Sequence, residues 1–257
     1  MDRVISAPLF AASLFVGMLL FLEAGRRLGI RQIARDPEGE AAGLLERTAF
    51  ALFGLLLAFT FSGAGSRFDS RRHLIAEEAN AIGTAYLRLD LLSGDAQPAL
   101  RQSFRDYLDS RLEAYRKLRY VENEKAEFAR SVELQGEIWT EAVAATHLPG
   151  VHPDAGKLLL PALNEMIDIT TTRAMAASIH PPTIIFVLLF GLGLGCSLLA
   201  GYAMAGSKGR SWLHILGFVV TTVITVYVIL DIEAPRRGLF RLDAYDEVLV
   251  DLRASMK

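Results

Sequence analysis

The run TAFALFGLLLAFTFSGAGS, Thr48–Ser66, passes without a break into RFDSRRHLIAEEANAIGTAYLRLDLL, Arg67–Leu92. The first part holds no Asp, Glu, Lys or Arg. It approaches the roughly 20 apolar residues that a helix needs to cross a bilayer core about 30 Å thick. The second part is polar, yet Ile75, Ala79, Ile82, Tyr86 and Leu89 recur in it at steps of three and four. Such spacing draws one apolar seam down a helix and suits a helical partner. No proline falls between Pro37 and Pro98, so the two parts are expected to form one helix of about 45 residues, about 65 Å long.

Three further stretches free of Asp, Glu, Lys and Arg are long enough to be spans: Val4 to Leu22, Thr183 to Ala205 and Trp212 to Leu230. The first begins at Asp2-Arg3 and leaves through Glu23-Ala24-Gly25-Arg26-Arg27, which reads as a span better than as a secretory signal. Between the first two spans lies a polar loop centred on Asp36-Pro37-Glu38-Gly39-Glu40. Gly206 to Ser211 is a tight connection between spans three and four. The expected fold is therefore all-α, with four transmembrane helices and a long helical insert between spans two and three. By residues, 1–66 hold the first two spans, 67–181 the insert continuous with the second span, 182–232 the last two spans and 233–257 a C-terminal tail.

Within the insert, Leu100, Phe104, Leu108, Leu112 and Tyr115 mark one face of a helix. From about Glu124 to Thr146 a second helix is expected to turn Phe128, Val132, Ile138 and Trp139 inward, and Asp154 is expected to start another. No segment shows the alternation of a half-buried strand.

Charge and chemistry narrow the function. The net charge of −2 leaves no clustered basic excess for nucleic acid. The single cysteine, Cys196, sits mid-span and is read as a small buried hydrophobe. His147, His152 and Asp154 flank a turn without a fourth ligand at a recognised spacing, and neither HExxH, CxxC, GxSxG nor a phosphate-binding GKS/T loop occurs. No enzyme, cofactor or metal is expected. Gly191-Leu192-Gly193-Leu194-Gly195 lies inside an apolar span, where Gly191 and Gly195 read as a helix-packing pair rather than a dinucleotide loop.

Two constellations stand out. Arg67, Arg71 and Arg72 follow the second span, and Phe59 and Phe61 lie inside it. If copies of the chain assemble about an axis, the phenylalanines are candidates for a hydrophobic constriction and the arginines for a charged pore mouth that favours anions. The plainer reading is phenylalanines facing lipid or neighbouring helices and arginines in interfacial ion pairs. Asp231 and Glu233 end the fourth span as a boundary acidic cluster, for which Arg236, Arg237 and the arginines after span two are natural partners.

Three segments carry a family resemblance: FGLLLAFTFS (Phe53–Ser62) with RFDSRR (Arg67–Arg72), EEANAIGTAYLR (Glu77–Arg88), and LDIE (Leu230–Glu233) with Pro235-Arg236. Together they resemble the bacterial membrane proteins with a bestrophin-like domain, a family of unknown function. Bestrophins proper are pentameric anion channels with four spans per subunit and a large cytosolic helical part. The resemblance thus implies a homo-oligomer in contact with membrane lipid that passes small inorganic anions. It also implies a multi-pass protein of the bacterial inner membrane, with the insert and both termini cytoplasmic. The chain shows no counterpart of the bestrophin neck sequence or of its acidic calcium clasp, and no binding residue is carried over. The alternative is a non-conducting sensor or scaffold that binds a partner through the Ile75–Leu89 seam.

Overall fold

The computed structural model describes residues 3–34, 42–117, 128–206, 212–234 and 238–256. The loop at residues 36–40, the connection at 207–211 and the proposed partners Arg236 and Arg237 lie outside these. Among the described residues every regular element is helical. In chain order the α-helices are α1 (Arg3–Ile33), α2 (Ala42–Arg88), α3 (Gln97–Lys117), α4 (Ala129–Thr146), α5 (Ala155–Ser178), α6 (Thr183–Ala203), α7 (Trp212–Ile232) and α8 (Glu247–Ser255). Four helical stretches are long and apolar enough to cross a membrane: Ala7–Ile33, Glu46–Leu91, Ala155–Gly206 and Trp212–Ile232. The chain is an integral membrane protein.

Two compact units divide the chain, residues 1–66 with 180–239 and residues 67–179 with 240–257. Helix α2 contributes its first half to one and its second half to the other.

In the first unit α1 packs against α6 and α7. Its core joins Leu14 and Met18 of α1, Phe53 and Ala64 of α2, Leu189 and Cys196 of α6, and Val219, Val226 and Ile229 of α7. Phe50 meets Phe218 edge-on, with ring centroids 5.4 Å apart. The closest approach is between α1 and α6. A Cβ on Gly25 would stand 1.9 Å from the Leu198 carbonyl oxygen, and one on Gly201 would stand 1.9 Å from that of Leu22. Only glycine lets these backbones touch, and the Gly25–Gly29 step is the small-xxx-small spacing of close membrane crossings. Among the described residues nothing stands within reach of a Cβ on Gly191 or Gly195, so the packing role expected of them is not made there. Gly25, Gly29 and Gly201 perform it instead.

In the second unit the seam Ile75, Ala79, Ile82, Tyr86 and Leu89 is buried. From Ala79 onward it packs into a core with Leu100, Phe104, Tyr107, Leu108, Leu134, Ile138, Leu159 and Leu163. Leu100, Phe104, Leu108, Leu112 and Tyr115 all point inward as their spacing predicts. Helix α4 differs from expectation. Ile138 is buried, but Val132 is 62% and Trp139 36% exposed. Its inward face includes Ser131 and Gln135, which reach partners: Ser131 Oγ lies 2.9 Å from Ser110 Oγ, and Gln135 Nε2 donates to Tyr107 Oη at 3.1 Å. Satisfied polar groups can occupy a core face, so hydrophobicity alone mis-rotates this helix. At the far end of the sequence, residues 240–257 pack here as well. Leu249 of α8 is buried, and Arg253 clasps Asp109 through two bonds of 2.9 Å.

Candidate functional site

Helix α2 turns 100° per residue, so residues three, four and seven apart share a side while residues two apart diverge. Through the apolar half, this sorts the side chains into three stripes about 120° apart. Phe53, Thr60 and Ala64 form the inward stripe and are buried. Thr60 is a hydroxyl on that stripe and donates back to the Leu56 carbonyl at 2.7 Å, which satisfies it within the helix. Leu52, Leu55, Phe59, Ser62 and Ser66 form a second stripe, and all are exposed. Gly54, Ala58, Phe61 and Gly65 form the third. Among the described residues, no atoms outside the helix come within reach of a Cβ placed on Gly54 or Gly65. By the share of residues buried, this is the least covered of the four candidate spans.

The two constriction candidates therefore part company. Phe59 is 68% and Phe61 46% exposed, but they leave the helix on different stripes. One axis can receive only one of these rings from each chain.

The three mouth arginines also separate. Arg71 falls on the inward side and is buried. Its Nε donates to the Ala176 carbonyl at 3.1 Å and its Nη2 to the Ile179 carbonyl at 2.9 Å. A guanidinium there satisfies carbonyls left open at the C-terminus of α5 and complements the helix dipole. Arg71 thus holds two helices together rather than standing as a surface charge. Arg72 pairs with Asp69 at 3.2 Å and lies 4.4 Å over the Tyr245 ring. Arg67 is half-buried and, three residues after Ala64 and four before Arg71, falls on the inward side, while the Phe59 stripe continues through Ser70 and His73.

The most heavily charged buried group in the second unit was not anticipated. Glu78 is fully buried. Arg111 donates to its Oε1 from Nε at 2.7 Å, Tyr115 Oη donates to Oε2 at 2.8 Å, and Arg173 Nη1 closes onto Oε2. Arg111 stacks 4.6 Å over Phe128, and Arg173 stacks 4.3 Å over Tyr115. Asp246, 3.8 Å from Arg173, sits at the start of α8. One carboxylate and two guanidiniums thus tie α2, α3 and α5, with Asp246 supplying the balancing charge. The sequence does hold a signal: Glu78 stands three residues after Ile75 and four before Ile82, on the apolar seam. Nearby, burial pushes the Tyr107 phenol above its ordinary value, against the opposing pull of Arg111 and the bond to Gln135.

The boundary acids also have distinct surroundings. Asp231 is buried and accepts the Leu239 amide on both oxygens, at 3.0 and 2.7 Å, so it ties down the turn after α7. Glu233, 8% exposed, lies 3.4 Å from His180 Nδ1. Among the described residues no three His, Cys, Asp or Glu gather closely enough to hold a metal ion.

The seam proposed as a partner surface is filled from within the chain, so it is not available for docking.

Residues 11–244 match the family profile described as Bestrophin-like domain. No curated protein matches the chain. Among solved structures, a mutant of a bacterial bestrophin homologue from Klebsiella pneumoniae superposes with a TM-score of 0.65 at 15% identity, covering 95% of this chain and 100% of that one. Another structure of a Klebsiella pneumoniae bestrophin homologue gives 0.63 at 15% identity, covering 93% and 98%. At such identity the likeness is one of fold.

Proposed function

We propose that this chain, which belongs to the bestrophin-like family, assembles with copies of itself into an ion-conducting pore lined by the second span. The pore passes small inorganic anions across a bacterial inner membrane, with the second unit and both termini on the cytoplasmic side. The observation that carries this reading is the three-stripe division of α2. A helix at the edge of a lone bundle needs one packed side and leaves the rest to lipid. Here the two uncovered stripes differ in kind. Gly54, Ala58 and Gly65 are small, which suits close contact with a neighbouring helix. Leu52, Leu55 and Phe59 give way to Ser62 and Ser66, a line that runs from apolar to hydroxylic. Facing an axis, Phe59 forms the hydrophobic constriction, which gates by wetting and dewetting. Phe61 then faces the adjacent subunit, and Arg67, half-buried on the inward side, adds positive charge to the field beyond the constriction.

Purified protein in planar bilayers should carry anion current, and Arg67→Glu should shift the reversal potential toward cations. Absence of current from a well-folded oligomer overturns the reading. The scaffold alternative loses its docking surface, because the Ile75–Leu89 seam is occupied inside the second unit.

A further inference from the structure

The exposed stripe of α2 that carries Phe59 does not end with its apolar residues. It continues through Ser66, Ser70, His73, Glu77 and Asn80, at steps of three and four that keep to one side of the helix. All five are exposed, and His73 and Glu77 are the titratable side chains among them. Among the described residues neither takes a hydrogen bond or an ion pair within the chain. Glu78, one position on, is the contrast, since two arginines and a tyrosine enclose it. The conduction reading gives His73 and Glu77 no role.

Chemistry and spacing select the occupant. A histidine and a carboxylate four residues apart on a helix are neighbours, with Cβ atoms about 5–6 Å apart. Ligands at that spacing on one helix face can share a metal ion. Imidazole nitrogen with carboxylate oxygen suits zinc and similar divalent transition-metal ions. One chain supplies two ligands, whereas zinc takes about four. About a common axis every copy brings the same pair to the same level. The Glu77 carboxylates then repel one another, and a dication relieves the repulsion.

We propose that His73 and Glu77 bind a divalent transition-metal ion of the zinc type, in a site closed by the same residues of a neighbouring copy. The site rests on that part of the pore reading which turns this stripe of every copy toward one axis. It does not require that the axis conduct.

The test titrates the tag-free, metal-stripped full chain in mild detergent with zinc against a chromophoric chelator, and records current from the same preparation in planar bilayers. Zinc should bind saturably, at fewer than one ion per chain. His73→Ala and Glu77→Gln, both at exposed positions, should each weaken it at least about tenfold, since loss of even an outer partner of a metal ligand costs that much. His152→Ala should leave it unchanged. Absence of saturable binding to the natural oligomer overturns the proposal, and that arm needs no variant to fold. Binding that survives both substitutions, or that reaches one ion per chain, overturns it as well. The site and the pore fail separately. Current without zinc binding removes the site and leaves the pore, whereas zinc binding at these residues without current keeps the site and removes the pore.

Discussion

The two halves of α2 make opposite use of one helical period. In the first unit its large apolar residues point outward as well as inward: Leu52, Leu55, Phe59 and Phe61 are exposed, while Phe53 and the polar Thr60 are buried. In the second unit Ile75, Ile82 and Leu89 are buried, and so is the charged Glu78. A helix in water gains by hiding its apolar side, about 1.5–3 kcal/mol for each large side chain. A helix in lipid gains nothing from that and is free to spend its outward surface on neighbours. The rule that a large apolar side chain is buried therefore holds along the seam beyond Arg67 but not before Ser66.

The largest expected effect breaks the second half. Glu78→Ala leaves Arg111 and Arg173 buried without their carboxylate, and loss of one member of a buried ion pair costs about 3–5 kcal/mol. Limited proteolysis of the full protein should show the second unit cleaved far faster than in the natural chain. Unchanged cleavage means the charges find water, and the cluster is not what ties these helices.

Next comes the crossing in the first unit. Gly201→Val places side-chain atoms where the Leu22 carbonyl lies, and such overpacking costs about 1–3 kcal/mol. The thermal transition in detergent should fall, whereas Gly191→Val should leave it nearly unchanged. Equal responses would show that the α1–α6 contact is no tighter than the rest.

A smaller effect belongs to Tyr107. Its ordinary value is 10.0, and burial raises it in the folded state. The neutral phenol is favoured by folding, so its contribution is full below pH 10 and is lost as pH rises through the higher folded value. Tyr107→Phe should cost about 1 kcal/mol near neutrality through the lost bond to Gln135. It should also flatten the alkaline fall in stability, followed by circular dichroism. A fall as steep as in the natural protein would assign it to other groups.

Smallest of all, Leu55→Ala should change the stability of the isolated chain by no more than about 0.5 kcal/mol. If it lowers the oligomer's thermal transition strongly, that stripe packs against protein rather than facing a pathway.

Much of this was legible in the sequence, for identifiable reasons. Charge-free runs mark the spans because ionised groups are excluded from hydrocarbon, and the Ile75–Leu89 seam was read residue by residue. What escaped notice depends on partners distant in sequence. Val132 and Trp139 looked inward because they are large and apolar, yet Ser131 and Gln135 hold the core side through bonds to Ser110 and Tyr107. Gly191 and Gly195 drew attention by their spacing, while Gly25 and Gly201 matter because two backbones meet there. Arg71 was indistinguishable from Arg67 and Arg72 until the end of α5 came beside it. Glu78 was visible as a carboxylate on an apolar seam, though its guanidinium partners lie 33 and 95 residues away. The packing of α8 onto α3 had no signal beyond a short amphipathic run.

The central claim is that Phe59 and its stripe face a water-filled axis. It is tested most directly by current through Phe59→Cys protein, in a Cys196→Ser background, before and after a charged water-soluble thiol reagent. The account predicts a current in planar bilayers that the reagent abolishes, while Phe61→Cys is little affected. A current that persists unchanged after residue 59 is confirmed to be modified would contradict it, as would folded oligomers that pass no current at all.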